Sequence, residues 1–299
     1  MSFSRSTPPS KALRRAAEQA AAPFPALLAE AERVAASVAL GTHGRRRSGH
    51  GETFWEYRRH RTEDGAQAVD WRRSARGQHL FVRETEWEAA NAVYLWRDGS
   101  PGMALGSRNL PLKKDRAAVC LMALASLLVR GGERIAALGE TGRARTGRAG
   151  LEIAARALAE GPGASISVEQ GDVVRHARIV LASDFVDPPE TWAARLARLN
   201  ASGASGILLR IIDPAEDDFP FAGRTRFAAP AGGAAPLVLG RAEDAREGYR
   251  RIWAEHGAGL AAMARKAGWT LLTHRTDRPA GTAVLALHQA LAPDAMERA

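Results

Sequence analysis

The stretch that most constrains this chain is Asn91–Met103, which reads NAVYLWRDGSPGM. Ala92, Val93, Tyr94, Leu95 and Trp96 form a short apolar run of β-branched and aromatic residues closed by turn formers, the pattern of a buried strand. Asp98, Gly99, Ser100, Pro101 and Gly102 then fall on the loop at its C-terminal end. The spacing that follows predicts an apolar helix over Leu112–Arg130, stopped by Gly131 and Gly132. Strand, polar loop and helix open an α/β fold, in which ligands bind at the carboxyl edge of the strands.

The alternation continues along the chain. Strands are predicted over Arg134–Leu138, Ser165–Glu169, Ala177–Ala182, Gly206–Ile212 and Trp269–His274. Helices are predicted over Leu151–Ala159, Thr191–Asn200, Glu243–Ala267 and Ala283–Leu291. Arg224–Leu239 reads as an edge hairpin, and the acidic turn Asp213–Asp218, which lacks calcium-loop spacing, reads as solvated. The expected architecture is α/β, a mostly parallel sheet with helices on both faces, over residues 88–299. Residues 1–10 read as a disordered tail, and residues 11–87 as a helix followed by an arginine- and aromatic-rich, β-containing segment. Within that helix, Leu27, Leu28, Ala31, Val34, Ala35 and Val38 recur at helical spacing as an apolar stripe.

A carboxylate followed two residues later by a hydroxyl, as Asp98 and Ser100 are, offers two hard oxygens to Mg²⁺ or Mn²⁺. Asp184, just beyond the strand predicted at Ala177–Ala182, falls on the same carboxyl edge. Asp187 suits an N-cap for a helix starting near Pro188.

These residues carry a resemblance. Asp98-Gly99-Ser100-Pro101-Gly102-Met103 looks like the D-x-S-x-S/G-M metal-ion-dependent adhesion site of von Willebrand factor A domains. The preceding segment resembles a bacterial group of such domains, the domain-of-unknown-function family fifty-eight. It carries Arg58, His60, Gly65, Val69, Asp70, Trp71, Ser74, Ala75, Arg76, Leu80, Val82, Arg83 and Glu84 in the order of that group's signature. The resemblance implies a von Willebrand A-like, Rossmann-like domain holding Mg²⁺ or Mn²⁺ through Asp98 and Ser100, with Asp184 from a third loop. The second loop of such domains supplies a threonine; Thr146 is the better candidate here and Thr141 the other, though a threonine before a helix also serves as an N-cap. Gly102 departs from the pattern, standing where adhesion sites often have serine. The resemblance further implies a non-enzymatic protein-binding module acting on an unknown protein client with a MoxR-type AAA+ ATPase, in chaperone-like assembly or maturation.

Charge raises a rival reading. The net charge is +9, yet lysine occurs only at Lys11, Lys113, Lys114 and Lys266, so the excess is arginine. Arg45–Arg47 and the Phe54–Arg83 region, where arginines interleave with aromatics, would suit a nucleic-acid surface; an internal arginine–carboxylate network is the favoured alternative. A metal-dependent hydrolase using Asp98 and Asp184 is the third reading, but phosphate-loop, H-E-x-x-H and G-x-S-x-G motifs are all missing. The one cysteine, Cys120, lies inside an apolar helix and fits a reducing compartment. The most apolar run, Ala117–Val129, falls short of the ~20 residues that span a bilayer, and Glu18, Glu30 and Glu32 interrupt any signal-peptide core. The expectation is a cytoplasmic protein without membrane insertion.

Overall fold

The structure, a computed structural model, describes residues 23–42, 54–59, 74, 81–85, 92–139, 144–160, 177–228 and 235–291. Helix α1 spans Pro23–Thr42. Strands β1 (Phe54–Arg59) and β2 (Phe81–Thr85) pair antiparallel, with a bulge between Phe54 and Glu56. The α/β alternation then begins with β3 (Ala92–Arg97), a 3-10 turn at Pro101–Ala104 and α2 (Lys113–Arg130). Next come β4 (Arg134–Ala137), α3 (Gly147–Glu160), β5 (Arg178–Ser183), α4 (Pro189–Asn200) and β6 (Ser205–Ile212). After β6 come a short α5 (Pro214–Asp218) and the antiparallel pair β7 (Thr225–Phe227) and β8 (Leu237–Leu239). The chain closes with α6 (Arg246–Lys266), β9 (Thr270–Arg275) and α7 (Ala280–Ala290).

Two compact units result, residues 45–91 and the remainder. Helix α1 belongs with the α/β unit, not with the arginine–aromatic segment it precedes in sequence, because its stripe residues Ala31, Ala35 and Val38 are buried in that unit's core. The expected boundary at residue 88 therefore separates only the 45–91 insert. Most of the arginine–aromatic signature, Trp71 included, lies outside the described residues, as do the strand expected at Ser165–Glu169 and Thr141.

The central sheet has five parallel strands in the order β4-β3-β5-β6-β9. Alternation along β3 sends Val93 and Leu95 to one face and Ala92, Tyr94 and Trp96 to the other, so the strand is buried on both sides. On the first face Leu121, Leu124, Leu158, Val284 and Leu287 from α2, α3 and α7 complete one core, with α1 packed over it. On the second, Trp192, Leu196, Leu199, Leu260 and Met263 from α4 and α6 form the other. Trp192 meets Phe185 and Trp96 edge-on, with centroids 4.5 and 6.2 Å away, the geometry that aromatic quadrupoles favour. Cys120 is fully buried in the first core, and burial pushes its thiol up to about 12.

The β7–β8 hairpin falls where an edge hairpin was expected, but it forms its own two-stranded sheet. Asp187 does not cap α4; Pro188 holds the N-cap position, and the Asp187 carboxylate pairs instead with Arg195 one helical face along, at 3.1 Å. Among the described residues no helix is long and apolar enough to cross a membrane.

Candidate functional site

From β3 the chain steps outward to β4 and then returns to β5 on the other side of β3. The crevice between the carboxyl ends of β3 and β5 is therefore the topological switch point, where open α/β sheets bind ligands. Register decides which residues meet there. Arg97 stands opposite Ala182, so Asp98 falls opposite Ser183, and the Asp98 N–H extends the ladder to the Ala182 carbonyl at 2.8 Å. Asp98 Oδ2 accepts the Ser183 hydroxyl at 2.6 Å, while Oδ1 accepts the Ser100 N–H at 2.7 Å and shapes the turn. Arg97 anchors the same loop by donating to the Leu158 and Ala159 carbonyls at the C-terminal end of α3, where helix carbonyls lack intrahelical partners.

Asp98, Ser100 and Asp184 thus line one cavity of about 360 Å³ with Gly102, Lys113 and Glu216. Thr146 is elsewhere. Arg145 and Ile135 exchange backbone hydrogen bonds at 2.9 Å, so the chain has already doubled back along β4 when it reaches Thr146, which is exposed and absent from the cavity wall. Helix α3 starts at Gly147, a turn earlier than its apolar pattern suggests.

The residue that organises the cavity is Lys113, at the first turn of α2 and fully buried. Its Nζ donates to Asp184 Oδ2 at 2.9 Å and to Glu216 Oε1 at 2.5 Å. Glu216 Oε2 accepts the Asp213 N–H at 2.8 Å, and Asp213 Oδ1 accepts the Ala215 N–H at 2.9 Å, a capping box on α5. Asp213 also accepts from the Ser107 N–H and hydroxyl and from the Thr276 hydroxyl. Burial alone would raise the Asp213 carboxyl, but these hydrogen bonds outweigh it and hold the group below its ordinary range. Burial lifts the Glu216 carboxyl above its ordinary value against the opposing charge of Lys113. The acidic turn is therefore not simply solvated: Asp213 and Glu216 tie the end of β6 to α2, while Asp217 and Asp218 pair with Arg275.

A divalent ion asks for about six oxygen ligands. Here Asp98 is held at both oxygens by hydrogen-bond donors, and the cation seated between Asp184 and Glu216 is an ammonium. Among the described residues no group of three or more His, Cys, Asp or Glu side chains is placed to hold a metal. In this arrangement the donor set fits Lys113 and does not fit Mg²⁺ or Mn²⁺. The departure at Gly102 has a steric counterpart, because a Cβ there would stand 2.9 Å from Asp184 Oδ2. The loop beyond Asp184 is strained: Phe185, buried and bulky, adopts φ 50°, a region such residues rarely enter. Val186 and Leu105, which line the cavity, are exposed at 55% and 41%.

Sequence reasoning passed over Lys113, Ser183 and Glu216. Signals for Lys113 and Glu216 were present. Lysine at a helix N-terminus opposes the macrodipole and asks for a local carboxylate. Asp213-Pro214-Ala215-Glu216 has the N-cap, Pro and N3 acid of a capping box.

Fold and site together define a doubly wound α/β protein with a buried carboxylate–ammonium cluster at its switch point. The chain belongs to the family described as Protein of unknown function DUF58, whose pattern matches residues 56–259. It is 28% identical over 248 residues to the uncharacterized proteins Rv1480 of Mycobacterium tuberculosis and Mb1516 of Mycobacterium bovis, covering 77% of this chain and 76% of each relative. Among solved structures it is similar to an aerotolerance-related membrane protein from Bacteroides fragilis, with TM-score 0.37 and 15% identity. It is also similar to the conserved hypothetical protein BatB from Bacteroides thetaiotaomicron, with TM-score 0.36 and 14% identity. Each match covers 70% of this chain and 100% of the other.

Proposed function

We propose that the chain is a non-enzymatic, cytoplasmic protein-docking module that acts with a MoxR-type AAA+ ATPase in assembling or maturing a protein client. The observation that carries this reading is the switch-point edge itself, where exposed Val186 and Leu105 flank a polar crevice whose charged groups are already satisfied internally. Lys113 supplies the positive charge that an adhesion-site ion would otherwise bring, so docking at this edge needs no added metal. Satisfied charges leave shape and apolar contact to provide the affinity, and a few central apolar anchors typically dominate such contacts.

Binding of the full chain to the MoxR-type ATPase, measured by surface-immobilised titration with and without a chelator, tests the reading. Val186→Glu and Leu105→Glu, both at exposed positions, should weaken binding about tenfold or more, which is about 1.4 kcal/mol. Chelation should leave the affinity unchanged. Equal affinity for wild type and both variants would move the docking surface away from this edge.

A further inference from the structure

A second cavity, of about 530 Å³, lies on the α6 side of the sheet at its β9 edge. Arg210 from β6, Thr273 and Arg275 from β9, Arg250 and Trp253 from α6 and Arg278 all line it. Parallel register sets Arg210 against Thr273 and Ile212 against Arg275, and alternation turns Arg210, Thr273 and Arg275 to the face that α6 covers.

Arg210 is 6% exposed, and its guanidinium stacks 4.3 Å from the Trp253 ring centroid. Among the described residues its buried Nε and Nη2 have no hydrogen-bond partner. A guanidinium stays charged in proteins, so a buried one without a carboxylate is costly. The nearby acids are already committed. Asp217, Asp218 and Asp277 all pair with Arg275, at 2.8, 2.9 and 3.1 Å, and Asp217 also accepts the Trp253 indole N–H. Glu216 and Asp184, whose charges also reach Arg210, are held by Lys113, so Arg210 is left without a carboxylate in hydrogen-bonding contact. Helix α6 makes room for it: a Cβ on Gly257 would stand 3.0 Å from Arg210 Nη1, and a glycine inside a helix otherwise only weakens it.

We propose that this cavity binds a phosphate-bearing small molecule, which Arg210 recognises together with Arg250 and Arg278. The planar fork of arginine matches phosphate oxygens, and the cavity has the volume of a small-molecule site. The proposal is independent of the docking edge.

Thermal unfolding and calorimetric titration of the full chain with inorganic phosphate and with AMP, at matched ionic strength, test it. A ligand that binds only the native state raises stability by RT ln(1 + [L]/Kd), and Tm with it. Wild type should show that rise, and Arg210→Met should bind at least about tenfold more weakly. The ligand-free Tm of Arg210→Met should equal or exceed that of wild type, since an apolar chain replaces an unpaired buried charge. A purely structural role for Arg210 predicts the opposite sign. Tighter binding of AMP than of phosphate assigns the rest of the cavity to the body of a nucleotide-like molecule; equal affinity assigns the site to the phosphate group alone. Absence of any rise with either probe up to ~10 mM, or a response unchanged in the variant, overturns the proposal. If Arg210→Met does not fold, Arg210→Lys, which keeps charge but not the fork, decides by the same tenfold criterion.

Discussion

Replacing Lys113 with methionine keeps most of the side-chain volume and removes the ammonium from between Asp184 and Glu216. Both contacts are within hydrogen-bonding distance, 2.9 and 2.5 Å, and the lysine is fully buried. Removing one partner from a buried charge cluster costs about 3–5 kcal/mol, because the remaining carboxylates are left uncompensated. For a domain of this size, at roughly 2–4 °C per kcal/mol, the expected fall in Tm is about 6–20 °C. The penalty should depend on pH. Glu216 is already pushed up by burial in wild type, and without the ammonium only the hydrogen bond from the Asp213 N–H still opposes that push. A carboxyl with a raised folded-state pKa holds its proton where the unfolded chain has lost it, so the stability of the variant should fall as pH rises through that range. At acidic pH, where Glu216 is protonated, variant and wild type should converge. The ion response should invert as well. Wild type should show no Tm change on adding about 5 mM Mg²⁺ or Mn²⁺, whereas the variant, with Asp184 and Glu216 freed, should be partly rescued by ion binding to its native state. Differential scanning calorimetry across pH, with and without each ion, reads all of this. A wild-type Tm that rises with Mg²⁺, or a Lys113→Met variant as stable as wild type at neutral pH, would refute the assignment of Lys113 as the cation of this site.

Two further predictions probe the frame around the site. His274 is 4% exposed, and burial, aided by Arg116, lowers its imidazole to about 4. Because the unfolded chain binds the proton first, wild type should lose about 3 kcal/mol as pH falls from about 6.5 to 4, and His274→Gln should flatten that part of a stability–pH profile. Gly206 packs so closely in β6 that an added Cβ would collide with the Ile179 carbonyl oxygen and come within 2.7 Å of Trp269 Cζ3. Gly206→Ala should therefore destabilise by about 1–3 kcal/mol in a denaturant titration, and a neutral result would show that β5 and β6 can separate slightly without loss.

The sequence by itself determined the class of fold and half of the site. Apolar runs bounded by turn formers marked β3, β5 and β6 because a strand covered on both faces must be largely apolar, whatever its neighbours. Asp98, Ser100 and Asp184 were legible because strand ends in such folds project onto one edge, so proximity follows from pattern alone. What only tertiary structure decided was what those groups meet. Glu216 comes within reach of Lys113 from over a hundred residues away because β6 lies beside β5, and no local spacing encodes that neighbour. Thr146 shows the converse: its place before a helix suited a ligand loop, yet the backbone pairing of Arg145 with Ile135 carries it back along β4, away from the edge. Helix α1 packs on the α/β unit across an insert of its own chain for the same reason, since burial of its stripe is satisfied wherever a matching apolar surface stands. Local pattern fixes which residues must be buried or turned outward. Which charge ends beside which is settled by strand order and register, and here that placed an ammonium between the carboxylates.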